Sequence, residues 1–406
     1  MKRDAPKRVL YIMHKSLAEP IPRLHGLSQV RALAAERPFE VLSFEPAGGS
    51  SEREAAFARE LGRLREAGVA HGSLRPAGNR WSDIARGALV IARSVLFRGT
   101  RIVHTRSYVP GFMAMLARPL LPFRHVFDMR GLFVDEYLLD GAFREGTPRL
   151  VFARWLERRV LASSDVVVVV SERFRRHVLE NPGLRGVVTP DVVHVIPNRA
   201  RLERFERRPD DAEKGPGSRW VTGVYVGSDA GWHRFDVTAR LMAGVMRARQ
   251  DVRFIAAVYP DAARARQVAL DAGVPDDRSR FVTRDPGDVP ELLGEADFGL
   301  MLIEPHVSKE VSAPIKLAEY LASGLPVVAG GGIGDARDWI PDEKLGILIG
   351  LDDVPAAVDA TLGFLSSEDF RSGAASRRAR AFARRRLDMN ETLREYERVY
   401  RRLEGR

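Results

Sequence analysis

The chain has 406 residues, 45% of them hydrophobic, and a formal net charge of +10. That length exceeds what one core usually organises and implies two domains, while the lack of cysteine excludes disulfides, thiolate metal sites and a cysteine nucleophile. No run approaches the roughly 18 consecutive apolar residues of a membrane span; the basic start MKRDAPKR leads only into VLYIM, no signal peptide or anchor is visible, and a cytoplasmic location is expected.

The first predicted elements are a strand at RVLYIM (8–13) and a helix at HGLSQVRALAAER (25–37), followed by a strand at EVLSF (40–44) and a charged helix across 52–67. RIVHT (101–105), HVFDM (125–129), DVVVVVS (165–171) and VVHVIP (192–197) read as further strands. Their near-continuous apolar character fits a parallel sheet covered on both faces. Between them, VPGFMAMLARPLLPF (109–123), with Arg118 and Arg124 at hand, fits a buried helix or a membrane-facing element. Residues 1–206 therefore read as a doubly wound α/β domain. RRPDDAEKGPGS (207–218) is polar and carries Pro and Gly, as a linker would.

The pattern then restarts. WVTGVYVG (220–227), DVRFIAAV (251–258), SRFVT (279–283), DFGLMLI (297–303) and LPVVAG (325–330) are strands, alternating with helices near 235–249, 260–272, 287–295 and 313–323. Residues 219–370 thus form a second doubly wound domain, and a cleft between the two is the expected active site. Beyond 351 helices take over, ending in an Arg-rich amphipathic stretch over 371–406 that either crosses back to the first domain or lies on anionic lipid.

Charge is unevenly placed. Residues 1–200 hold 32 Lys and Arg against 20 Asp and Glu, residues 201–370 hold 20 against 29, and residues 371–406 hold 12 against 5. A basic first half implies an anionic partner, such as a membrane surface or a phospholipid-linked acceptor, unless the arginines are simply solvated. No helix-turn-helix, zinc-finger or RRM signature is present, so nucleic acid is the weaker option.

The densest chemistry lies in SAPIKLAEYLASGLPVVAGGGIG (312–334). Ser312 is placed to cap a helix and Pro314 suits its first turn, where free backbone N–H groups favour an anion. Helical spacing sends Ile315, Ala318, Leu321 and Ala322 toward a core and Lys316, Glu319, Tyr320 and Ser323 to the other face. Lys316 can meet a phosphate and Glu319 a ribose hydroxyl; the same spacing also fits a surface helix with a Lys/Glu pair. GGGIG (330–334) lacks the GxGxxG spacing of a dinucleotide fingerprint.

Taken together, HVFDMRG (125–131), ASSDVVVVVSE (162–172), HVIPNRARLERF (194–205), YVGS (225–228), VPELLGEADFGLMLI (289–303) and PIKLAEYLASGLPVV (314–328) resemble the GT-B glycosyltransferases of the large retaining family 4 type, the group 1 glycosyl transferases. The resemblance runs over nearly the whole chain. It implies two Rossmann-like domains facing a cleft, the second binding a nucleoside-diphosphate sugar and the first presenting a saccharide or lipid-linked acceptor, with retention of configuration. Carried over, Lys316 touches the donor diphosphate, Glu319 holds the ribose, and Gly227 lets backbone approach. The turn Ser312, Ala313, Pro314 and Ile315 also falls to the donor, and the loop Thr283, Arg284, Asp285 lies near the base. Asp128 is the catalytic candidate of the first domain, where His104, Arg106 and Arg130 line the acceptor side.

Two departures stand out. The first of two glutamates flanking seven residues would fall at Val311, and only Glu310 is near. Ser228 stands where an arginine is common, leaving Arg234, with His233 as alternate, as the second diphosphate cation. Breaking a glycosyl–phosphate bond places negative charge on the leaving diphosphate, so cations must gather there. No D-x-D triplet occurs, and neither a metal nor another cofactor is expected. A subunit that binds nucleotide sugar without turnover, and a GT-B-like epimerase or hydrolase, are the alternatives. Location at the inner face of the cell membrane is compatible with the charge.

Overall fold

The computed structural model describes residues 6–19, 23–205, 220–229, 231–285 and 287–405. By internal contact the chain forms two units, Met1–Ile196 with Thr392–Arg406, and Pro197–Glu391. The change of unit thus comes at 196/197, ahead of the expected linker 207–218, which lies outside the described residues.

In the first unit, strands β1 (Arg8–Met13), β2 (Phe39–Phe44), β3 (Ala70–Leu74), β4 (Thr100–Arg106), β5 (Arg124–Asp128), β6 (Val166–Val169) and β7 (Val193–Val195) form one sheet in the order β3-β2-β1-β4-β5-β6-β7. Every neighbouring pair is parallel. Its helices are α1 (Ser28–Leu33), α2 (Ser51–Glu66), α3 (Arg80–Phe97), α4 (Tyr108–Ala117), α5 (Phe133–Leu139), α6 (Pro148–Ala162) and α7 (Glu172–Glu180). Four of them start where a polar side chain accepts from an otherwise orphaned amide: Ser50 from Arg53, Asn79 from Ser82, Thr147 from Leu150 and Ser171 from Phe174. The helix expected over 25–37 is shorter, a π-turn at Arg23–Leu27 followed by α1, which ends at Leu33.

The second unit repeats the plan. Strands β8 (Val221–Gly227), β9 (Val252–Val258), β10 (Ser279–Val282), β11 (Phe298–Met301), β12 (Val327–Gly330) and β13 (Gly346–Ile349) lie in the order β10-β9-β8-β11-β12-β13, again all parallel. Its helices are α8 (Phe235–Ala248), α9 (Ala262–Asp271), α10 (Val289–Gly294), α11 (Val307–Glu310), α12 (Ile315–Ala322), α13 (Ala336–Asp342), α14 (Val354–Ser366), α15 (Glu368–Arg371) and α16 (Ala374–Arg386). The last helix, α17 (Met389–Leu403), passes into the first unit at Thr392.

Both sheets are doubly wound, and strand order reverses between β1 and β4 in one and between β8 and β11 in the other. Open α/β sheets bind ligands beyond the strand carboxyl ends at that reversal. β3 and β13 were not expected from the sequence: both are edge strands whose residues are mostly half-exposed, β3 (AHGSL) lacking the apolar run of a strand covered on both faces and β13 (GILI) being apolar but only four residues long.

The Arg-rich tail is structural on its apolar side. Ala379, Phe382 and Ala383 of α16 share a core with Leu317, Ala318 and Leu321 of α12. Tyr396, Val399 and Tyr400 of α17 share another with Val9, Tyr11 and Phe39. Arg37, buried, holds Glu397 and Glu404 at 2.7 Å each.

Candidate functional site

In the second unit the reversal point is occupied by the end of β8. Gly227 has no room for a side chain, since a Cβ there would lie 2.7 Å from Lys316 Nζ and 2.9 Å from Tyr225 Oη. Lys316, the second residue of α12, thus rests its ammonium against bare backbone, 4.7 Å from the Tyr225 ring centroid. That ammonium is buried and has no hydrogen-bond partner. Burial pushes Lys316 down to about 7, with Glu319 opposing. One turn on, Glu319 is also buried, and its carboxyl is pushed up to about 7 by burial against the pull of Arg204 and Lys316. A buried cation without an acceptor is costly to hold, and an anionic ligand removes that cost.

The turn before α12 is braced from two sides. Asn198 donates to the Ala313 carbonyl at 2.6 Å, and Gly334, at φ 43°, passes so close that a Cβ would lie 1.8 Å from the Ser312 carbonyl oxygen. The glycine cluster at 330–334 is therefore a close backbone approach. Ser312 does not cap α12: its hydroxyl donates to the Lys309 carbonyl at 2.7 Å, and Pro314 occupies the cap position. Tyr320, expected on the ligand face, is fully buried in the core, accepting from the Val226 amide at 2.9 Å and donating to the Leu300 carbonyl. Ile315 begins the helix half-buried.

The two residues expected to supply a second cation, Arg234 and His233, have other partners in the ligand-free chain. Arg234 sits in the left-handed region at φ 43° and turns its guanidinium to Glu304 at 2.6 Å and Asp236 at 3.2 Å. His233 stacks on Trp232, ring centroids 3.9 Å apart, and burial with the nearby Lys316 and Lys309 holds it neutral, down to about 3. Its Nδ1 is buried without a partner. Lys309 is buried as well, and its Nζ lies 4.1 Å from the Trp232 ring centroid. The Glu304 amide donates to the Trp232 carbonyl at 2.8 Å and ties this loop to the end of β11. Sequence reading missed Lys309 because a lone lysine in a four-residue helix looks like a solvated charge.

Ser228 follows Gly227, and its carbonyl accepts from Tyr225 Oη at 2.5 Å. Thr283, Arg284 and Asp285 are exposed after β10, two strands from β8. Thr283 donates to the Val258 carbonyl and Asp285 accepts from the Gly287 amide. Arg204 donates to the Gly287 carbonyl at 3.2 Å and also acts on Glu319, linking this loop to the helix.

In the first unit, β4 and β5 place Arg106 opposite Asp128 in register. Asp128 is buried and accepts from Arg106 and Arg130 at 3.3 Å each, with His104 Nε2 at 4.0 Å. His104 Nδ1 lies 2.7 Å from Tyr400 Oη, and burial holds the ring neutral, down to about 4. Beside them, His25 is buried with neither ring nitrogen hydrogen-bonded, and burial, Arg106 and Arg130 all push it well below the ordinary histidine value. Among the described residues no group of three or more His, Asp or Glu side chains is arranged to hold a metal ion.

Family comparison settles what these two units are. Residues 25–204 match the Glycosyltransferase Family 4 model and residues 221–367 match the Glycosyl transferases group 1 model. The chain belongs to the group 1 glycosyltransferases. No curated protein matches this glycosyltransferase by sequence. Solved structures do match by fold. A glycosyltransferase from Rickettsia africae is 16% identical with a TM-score of 0.69, covering 98% of each chain. WaaG, a glycosyltransferase involved in lipopolysaccharide biosynthesis, is 16% identical with a TM-score of 0.67, covering 97% of this chain and 99% of its own. HepE of Anabaena, in complex with UDP and glucose, is 13% identical with a TM-score of 0.66 over the same shares. The fold is GT-B, two parallel sheets of seven and six strands with helices.

Within this glycosyltransferase the Val311 departure is real in space. Val311 is buried and apolar, and Glu310 on α11 is exposed, so the one-residue offset does not return a carboxylate to that place.

Proposed function

We propose that this glycosyltransferase moves a sugar from a nucleoside-diphosphate sugar to a saccharide or lipid-linked acceptor, with retention, without a metal, and at the inner face of the cell membrane. The observation that carries the donor assignment is the buried, unpartnered Lys316 ammonium packed against side-chain-free Gly227 at the reversal of the second sheet. Cleavage of the sugar C1–oxygen bond leaves its electron pair on the diphosphate. Lys316, Lys309 and the first amides of α12 meet that charge in a water-poor setting, where such groups count most. Glu319 accepts from the ribose hydroxyls. The acceptor hydroxyl forms the new bond to C1, and its proton passes to an oxygen of the departing diphosphate. Asp128 with His104, Arg106 and Arg130 is the polar group assigned to that acceptor. A donor containing UDP agrees with the ligands of HepE.

The test is thermal stabilisation by a panel of nucleoside diphosphates and their sugar conjugates with EDTA present, since a ligand of the folded state raises its midpoint. A metal-independent shift that disappears in Lys316→Ala is the expected result; no shift with any nucleotide overturns the donor site. Val311 favours one second reading, binding without turnover. Acceptor-dependent release of nucleoside diphosphate rules that out, and Asp128→Asn is expected to slow release while leaving donor affinity unchanged.

A further inference from the structure

Ten of the eleven large hydrophobic residues exposed among the described residues lie in the first unit, and nine of those ten sit on α3, α4 with the turn that follows it, and α6. These helices form one layer, α4 packing on both α3 and α6. On α3 the outward positions Trp81, Ala85, Leu89 and Leu96 recur at helical spacing, with Leu89 70% and the adjoining Phe97 80% exposed. At the end of α4, Leu116 and Leu120 are exposed, the latter by 86%. On α6, Phe152 stacks on Trp155 with centroids 5.7 Å apart, and Trp81 reaches across from α3 to Phe152 at 5.9 Å. An amphipathic helix normally turns such a stripe inward; here α3 has a buried stripe and an apolar outer one.

Arg86, Arg98, Arg106, Arg118 and Arg124 are paired with carboxylates, and the exposed charge left over on the same layer is of one sign. Residues 80–124 contain eight arginines and a single acid, Asp83, which is buried against His14 at 3.0 Å. The acid of α6, Glu157, is fully buried. Arg80, Arg93, Arg149 and Arg159 are exposed and pair with no carboxylate among the described residues. Apolar side chains, two tryptophans and unpaired arginines on one face match the interface of a bilayer carrying anionic lipid. Exposed apolar side chains gathered on one helical layer mark an interaction surface. No helix of the described residues is long and apolar enough to cross a membrane. The Arg-rich tail cannot take this role with its apolar sides, which are inside the two cores.

We infer that the α3–α4–α6 face of the first unit docks on an anionic lipid surface, Leu89, Phe97, Leu120 and the Trp81–Phe152–Trp155 cluster entering the interface and Arg80, Arg93, Arg149 and Arg159 meeting the headgroups. This deepens the membrane-peripheral part of the proposed function and is read out apart from the donor site. The experiment is flotation of the full chain with phosphatidylcholine vesicles, with and without about one-third phosphatidylglycerol, at low and high salt. Binding to the anionic vesicles, weakened by salt and reduced at least tenfold in the double variant Leu89→Ser, Phe97→Ser, is the expected result. The ligand-free thermal unfolding profile and far-UV circular dichroism, matched against wild type, report whether that variant is folded. If it is not, quenching of wild-type tryptophan fluorescence by doxyl-labelled anionic lipid, lost in Arg93→Glu, gives the same reading. No binding of wild type to anionic vesicles, equal binding by the folded variants, or self-association abolished by the same substitutions overturns the inference, the last assigning the face to a second copy of this chain.

Discussion

Lys316 and Glu319 titrate near 7 from opposite directions, and this gives the site a pH signature. Lys316 is lowered from its ordinary 10.5, so its burial costs stability fully below about pH 7 and that cost fades as pH rises toward the unfolded value. Glu319 is raised from 4.5, so its cost appears as pH rises toward about 7. The ligand-free pair is therefore least favourable near neutrality, where a diphosphate restores the ammonium. Affinity for a nucleoside-diphosphate sugar, whose phosphates do not titrate there, is expected to fall above about pH 7 by up to roughly tenfold per unit. Calorimetry in two buffers should find proton uptake; a flat profile without uptake sinks the assignment. Lys316→Ala should weaken the same ligand by roughly 30- to 100-fold, as for a charged hydrogen bond of about 2–3 kcal/mol. Lys309→Ala should cost a nucleoside diphosphate roughly tenfold and the bare nucleoside little, because the ammonium is a cation for phosphate. That Lys316 and Glu319 share one helix and that Gly227 ends a strand were legible in the sequence, because helix spacing and a strand-end glycine are local facts. Lys309 was not, because its approach to Trp232 depends on how a four-residue helix folds back. The pairing of Arg234 was not legible either: one left-handed residue sends its guanidinium to Glu304.

At the scale of elements, α12 serves both site and core. Its expected outer face includes Tyr320, yet the strand β11 draws that side chain inward because Gly299 has no side chain; a Cβ there would lie 2.4 Å from the Tyr320 ring. Gly299→Ala should therefore destabilise by about 1–3 kcal/mol, the usual overpacking cost. Tyr320→Phe strands the Val226 amide and should cost a similar amount, about 1–3 kcal/mol. Denaturant midpoints check both, and unchanged midpoints would show that α12 adjusts freely. Gly227→Ala contrasts with them: the clash is with the flexible end of Lys316 and the Tyr225 hydroxyl, so donor binding should fall more than stability does. The edge strand β3 was not legible because, half-covered, it lacks the apolar run that identifies its neighbours, and β13 is an apolar run of only four residues.

At the scale of the molecule, the first unit is completed by residues nearly four hundred positions from its start. Arg37 is buried with Glu404, whose side chain is fully buried as well, and Tyr400 lies beneath the guanidinium at 4.8 Å. Arg37→Ala removes one partner of a buried pair and should destabilise the first unit by about 3–5 kcal/mol. Nucleotide-induced stabilisation of the second unit should persist, and thermal unfolding with and without nucleotide separates the two. The sequence by itself determined the two doubly wound sheets, their helices and the family, because apolar runs, caps and glycine turns act over a few residues and recur in order along the chain. Only the tertiary structure decided where the last helix packs, that Lys309 is buried against Trp232 and which helices turn apolar side chains outward. Those depend on contacts between residues far apart in sequence, and no local period encodes them.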